Sequence, residues 1–167
     1  MSYSTEAMLW GTWIKVNLAD QLPVTVAGLV MDNDFGLAYE MGFEAYVEEN
    51  PDVVSEYLPV RHDPAAPTLT NEVTTIAAFD PDVFISMTAG NPCLLAIQEV
   101  EASGLLDELS AAFTPSVCKG IAAYLAPAGM AADGYWIVGG GAKDTTDSGK
   151  MDEPFIAFAL SLIHISE

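Results

Sequence analysis

At 167 residues the chain is long enough for one domain whose hydrophobic core needs no staples. Apolar residues make up 51% of it, which excludes a disordered chain, and five Lys and Arg stand against 24 Asp and Glu for a net charge of -19. That charge excludes nucleic acid as a partner and disfavours anionic membrane surfaces, and no run of about 18 apolar residues is present to insert into a bilayer.

Met1 to Glu6 has neither the basic nor the apolar region of a signal peptide. From Thr5 to Asp20 the apolar steps Ala7, Met8, Trp10, Trp13, Ile14, Val16 and Leu18 predict a helix, with Ser4 or Thr5 as its cap. Leu22-Pro23 breaks it, and Val24 to Val30 reads as a buried parallel strand. A loop over 31–36 leads into a helix from Leu37 to Glu49, with Tyr39, Phe43, Tyr46 and Val47 on one face. Val53 to Val60 is predicted as a strand near a sheet edge, Arg61 to Pro67 as a loop and Leu69 to Phe79 as a helix. Asp80-Pro81 turns into a buried strand, Asp82 to Met87. Thr88 to Asn91 is a loop, and Pro92 opens a helix that Ser103-Gly104 closes. A fourth strand is placed at Leu109 to Phe113, a loop at Thr114 to Gly120, and a helix broken by Pro127 and Gly129 over Ile121 to Ala132. Tyr135 to Val138 is a fifth strand, followed by Gly139-Gly140-Gly141, a polar loop to Lys150 and a last helix capped by Asp152.

Strand and helix therefore alternate about five times. This predicts an α/β fold: a mostly parallel sheet of about five strands with helices on both faces. Ligands of such sheets bind at the carboxyl ends of the strands, which singles out the loops 32–36, 88–91 and 116–120.

The chemistry on offer there is sparse. Asp32, Asn33 and Asp34 begin like a calcium loop, but the later ligands are not at the required spacing, so a turn capping the next helix is the expected reading and no metal is assigned. Gly139-Gly140-Gly141 lacks phosphate-binding spacing and leads into a polar loop, so no nucleotide cofactor is assigned either. His62, between Arg61 and Asp63, is expected in solvent; a Cys–His nucleophile pair would need it to reach Cys93 or Cys118. Those two cysteines fall in loops after neighbouring strands, about 4.8 Å apart in a parallel sheet. In an exported protein they favour one Cys93–Cys118 disulfide; in a reducing compartment they are two buried thiols.

Several phrases carry a resemblance. Tyr3-Ser4-Thr5-Glu6-Ala7, Asn33-Asp34-Phe35-Gly36 after a strand, Asp80-Pro81-Asp82-Val83 before one, Gly90-Asn91-Pro92-Cys93, and Leu125-Ala126-Pro127-Ala128-Gly129 leading to Ala132-Asp133-Gly134-Tyr135 are similar to the solute-binding proteins of branched-chain amino-acid-type ABC importers. The resemblance implies a Rossmann-like three-layer sandwich, one lobe of a two-lobed receptor that closes on its ligand. Residues 1–159 would be the second lobe, truncated; the first lobe would precede Met1. The implied role is extracytoplasmic and non-enzymatic: a small solute is bound between the lobes and handed to ABC permease subunits. A ligand-sensing lobe of a receptor or regulator is the alternative, and a small flavodoxin-like enzyme comes after it.

By the same resemblance Phe35 matches a cleft-facing aromatic position, and Thr88, Ala89, Gly90 and Asn91 match a ligand-contacting loop. Ser116 to Lys119, with Cys118, match the loop where amino-acid binders place a carboxylate for the ligand's ammonium. No Asp or Glu stands there, so a charge-assisted bond is missing. An amide, a urea-like solute or a short carboxylate then stands on equal footing with a free amino acid. The last eight residues, Leu160 to Glu167 (LSLIHISE), resemble the in-frame translation of a sequencing adaptor and are expected to lie outside the natural protein.

Overall fold

The computed structural model describes residues 2–139, 149, 153, 154, 156 and 157. Five strands form one sheet, β1 (Val24–Met31), β2 (Val54–His62), β3 (Val83–Met87), β4 (Ala111–Thr114) and β5 (Tyr135–Ile137), in the order β2-β1-β3-β4-β5. Every pair is parallel. β1 and β3 are interior strands, apolar but for Thr25 and Ser86, as expected of strands covered on both faces.

The pleat sorts their side chains. Val24, Val26, Val30, Val83, Ile85, Met87 and Phe113 join one core with helices α1 (Tyr3–Asn17) and α2 (Asp34–Glu49). Ala27, Leu29, Phe84 and Ala112 join a second core with α3 (Thr70–Phe79) and α4 (Asn91–Ala102). The predicted three-layer α/β architecture is therefore the observed one, and the face assigned to Tyr39, Phe43 and Tyr46 is indeed buried.

The boundaries differ where caps decide them. Ser2, rather than Ser4 or Thr5, caps α1, its hydroxyl accepting from Thr5 N at 3.2 Å. α2 begins at Asp34 because Asn33 Oδ1 accepts from both Phe35 N and Gly36 N at 3.1 Å. α1 and α2 then approach closely: a Cβ on Gly42 would lie 2.5 Å from Ser4 Cα and 2.6 Å from its carbonyl oxygen, so only glycine fits there. The stretch predicted as one interrupted helix is three short turns, Ile121–Leu125, Ala126–Ala128 and Gly129–Ala132, broken where Pro127 and Gly129 fall. Of the Gly139–Gly141 run only Gly139 is described, and of the polar loop to Lys150 only Gly149; the tail 160–167 lies outside the described residues, as does the last predicted helix in part.

Candidate functional site

All five strands run parallel, so their carboxyl ends share one rim of the sheet. At that rim α2 leaves β1 toward one face and α4 leaves β3 toward the other. The strand order reverses between β1 and β3, which is where open α/β sheets place their ligands.

The loop after β1 carries the aromatic part of the rim. Phe35 is half-buried and meets Tyr3 edge-on at 4.7 Å and Tyr39 at 5.2 Å, while Tyr3 stacks on Tyr39 at 5.0 Å. Tyr39 in turn stacks on the buried Trp10 at 5.0 Å, so the cluster is anchored in the core. Asp32 Oδ1 lies 3.6 Å from Arg61, whose Nη2 donates to the buried Glu40 at 2.5 Å. Asn33 is engaged as the α2 cap. Among the described residues no group of three His, Cys, Asp or Glu gathers to hold a metal ion.

The loop after β3 is mixed. Thr88 is fully buried, its hydroxyl 2.9 Å from that of Ser86. Ala89 is half-buried, and Gly90 and Asn91 are exposed. Gly90 has φ +67, a conformation that side chains with a Cβ rarely adopt, and it starts α4 without a side-chain cap. One turn further, Cys93 forms a disulfide with Cys118, their Cα atoms 5.6 Å apart. Both are wholly buried, so Cys118 offers the rim no thiol.

The loop after β4 joins these two halves. Cys118 Sγ packs 3.4 Å from the Thr88 carbonyl, and its bond to Cys93 ties the loop to the start of α4. Ser116 ties it to the aromatic cluster through Glu6. Ser116 N donates to Glu6 Oε1 at 2.6 Å, Ser116 Oγ donates to Oε2 at 2.7 Å, and Tyr39 OH donates to Oε2 at 2.9 Å. Glu6 is only 2% exposed. Burial and the neighbouring Glu6 charge push the Tyr39 hydroxyl pKa well above its ordinary value, which keeps it a donor. Within the Ser116–Cys118 turn the exposed side chain is Val117, at 39%, and Lys119 just after it is exposed as well.

Sequence reasoning singled out Phe35, the Thr88–Asn91 loop, Ser116 and Cys118; it missed Tyr3, Glu6 and Tyr39. A signal was present: Glu6 stands four residues before Trp10, on the apolar face of α1, where an acid is unusual. His62 is a correction. It ends β2 and is 2% exposed, with Nδ1 2.9 Å from the Asp63 carbonyl oxygen, because β2 runs two residues further than predicted. Both cysteines are oxidised, so the Cys–His nucleophile pair does not exist here. A separate apolar groove of about 400 Å3 lies on the α1/α2 face, between Leu9, Trp13, Val16, Phe113 and Trp136.

No protein-family model matches the chain, and no curated protein does. Solved structures are similar to it in fold. An extracellular ligand-binding receptor from Rhodopseudomonas palustris is 13% identical over 98% of this chain and 44% of its own, with a TM-score of 0.74. A fatty acid ABC transporter substrate-binding protein from Thermomonospora curvata is 12% identical over 81% and 33%, with a TM-score of 0.68. A solute-binding ABC transporter protein from R. palustris, in complex with 4-hydroxybenzoate, is 19% identical over 70% and 30%, with a TM-score of 0.58. The chain thus has the fold of a periplasmic binding protein lobe, and it spans less than half the length of each of these proteins.

Proposed function

We propose that residues 1–159 form one lobe of an extracytoplasmic solute-binding component of an ABC importer, and that residues 160–167 are not part of it. The lobe is one wall of a cleft that closes on a small polar organic solute and delivers it to the permease subunits. The observation that carries this reading is the likeness in fold to an extracellular ligand-binding receptor over nearly the whole chain, with the three strand-end loops tied into one rim. The Cys93–Cys118 disulfide supports an oxidising compartment.

The solute class follows from what the rim offers. Phe35 and the partly exposed Tyr3 supply an aromatic edge. The carboxylate nearest the Ser116–Cys118 loop, Glu6, already accepts three hydrogen bonds and is out of reach of a ligand ammonium. This favours a solute with an apolar body and an uncharged or carboxylate head over a free branched-chain amino acid. The test is a thermal-shift screen of the gene product carrying both lobes, against leucine, an amide, urea and 4-hydroxybenzoate. A compound that binds the native state raises the midpoint, by about 2.7 kcal/mol of stability at a hundredfold excess over Kd. Stabilisation by leucine alone sinks the solute class; stabilisation by none of the four sinks the receptor reading for these classes.

A further inference from the structure

We propose that Glu6 is a positioning residue: together with the Cys93–Cys118 disulfide it presets the Ser116–Cys118 loop in the shape a ligand meets. The inference rests on reading the strand-end rim as the ligand wall. It concerns a residue 110 positions away from the loop it holds.

The loop has little to hold it by itself. It is a single 3-10 turn, Ser116–Cys118, closed by Cys118 N donating to the Pro115 carbonyl at 2.8 Å. It leaves a strand of four residues, and the chain beyond it passes into short turns. Such a segment is free to take several shapes unless it is fastened from outside. It is fastened twice. On the α3/α4 side Cys118 is bonded to the first turn of α4. On the α1/α2 side Glu6 receives both the backbone N–H and the hydroxyl of Ser116.

The second fastening is the directional one. Glu6 lies in the first turn of α1, where the helix dipole favours a negative charge. It is buried, and its hydrogen-bond partners among the described residues are neutral donors. A carboxylate in that setting holds its donors strongly, because each unmade bond would leave a buried charge short of solvation. The Ser116 backbone is thereby fixed at its amino end while the disulfide fixes Cys118. Val117, between the two fastened residues, is left as the exposed side chain of the turn.

The test is amide hydrogen exchange on the full 167-residue chain, with no ligand present, for wild type, Glu6→Ala and Glu6→Gln. Glu6→Ala should speed exchange of the Ser116–Cys118 amides by roughly tenfold or more, with no matching change in the Val83–Met87 strand. Glu6→Gln keeps an acceptor for the Ser116 N–H and should fall between the two. If Glu6→Ala does not fold, Glu6→Gln alone decides: faster exchange in the loop with an unchanged strand supports the proposal. An unchanged loop overturns it. So does a rise of the same factor in loop and strand, since Glu6 would then support the fold as a whole. Because no ligand enters, this result is independent of the thermal-shift screen, whose failure would remove the ligand wall and leave the fastening measured.

Discussion

On the α1/α2 face the core is aromatic, with Trp10, Tyr39, Phe43, Tyr46 and Phe113 in one cluster, and this side buries two carboxylates, Glu6 bonded to Tyr39 and Glu40 to Arg61. On the α3/α4 face it is mainly aliphatic, built from Leu29, Leu69, Val73, Ile76 and Val100 with Phe84 as its fully buried ring, and the buried hydroxyls of Ser86, Thr88 and Thr114 lie at the strand ends. The first face is specified by direction: hydrogen bonds to charge, stacked rings, and the close approach of Gly42 to Ser4. The second is specified by volume and by one covalent bridge at its upper end. The difference teaches where the rim gets its rigidity. The Ser116–Cys118 loop is held by a hydrogen-bonded carboxylate on one side and a disulfide on the other, so neither core alone determines its shape.

The comparison is broken most severely at the aromatic core. Phe43 is fully buried, edge-on to Tyr57 at 5.0 Å and stacked near Tyr46 at 6.4 Å. Phe43→Ala should cost about 4 kcal/mol, measured as a fall in the urea midpoint. A loss below about 1 kcal/mol would show that the helices on this face repack freely, against a directional core. Next comes the bridge on the other face. Cys93 and Cys118 are 25 residues apart, and chain entropy alone gives their bond about 3.5 kcal/mol. Denaturation of the Cys93→Ser/Cys118→Ser pair against the oxidised chain reads that difference. Equal midpoints would mean that the rim is held without it.

Raising the pH acts unequally on the two faces. Burial raises the pKa of Tyr39, Tyr57 and Tyr135, with Glu6 adding to the shift of Tyr39, and Glu40 and Glu44 to that of Tyr57. The first two belong to the α1/α2 side and the third packs on the α3/α4 core. A pKa raised on folding means that the native state keeps its proton after the unfolded state has lost it. The stabilisation is complete below the unfolded pKa, about 10, and is lost as pH climbs from there toward the folded value. Each of the three should then cost at most about 1.4 kcal/mol per pH unit, with less from the half-buried Tyr57 and Tyr135. Denaturation at pH 9, 10 and 11 measures the sum. Tyr57→Phe should make the slope shallower, and an unchanged slope would place that hydroxyl in solvent.

Much of this was legible in the sequence, for reasons that set the limit as well. β1 and β3 are short, largely apolar runs bounded by Pro23 and by Asp80-Pro81, the pattern of a parallel strand covered on both faces. Pro127 and Gly129 announced the broken stretch after β4. What stayed hidden depends on contacts between distant positions. Glu6 and Glu40 looked like surface acids in a chain with 24 of them, and their burial is intelligible only beside Ser116, Tyr39 and Arg61. His62 read as a loop residue because the stretch Arg61 to Pro67 holds two prolines, Pro64 and Pro67. They fall beyond the strand end, so β2 runs on through Arg61, and the pleat carries His62 to the same side as Val60. Of the site, the loops were legible from topology; the side chains that fasten them were not.

The smallest effect on stability tests the sharpest form of the comparison. If the rim loop is fixed from both sides, its fastened residues and its exposed residue should behave differently. Ser116 is engaged with Glu6 and Cys118 with Cys93, which leaves Val117 as the side chain the turn shows to a ligand. Val117→Ala removes apolar surface that is already 39% exposed and breaks no hydrogen bond in which its side chain takes part, so stability should stay within about 0.5 kcal/mol. Affinity should change by several-fold for whichever compound stabilises the two-lobed protein, because burying two methyl groups against a solute is worth about 1 kcal/mol or more. Titration of that compound into wild type and Val117→Ala measures the ratio. A ratio near one, with stability unchanged, would take this loop out of the ligand wall and leave the aromatic edge of Tyr3 and Phe35 to carry recognition.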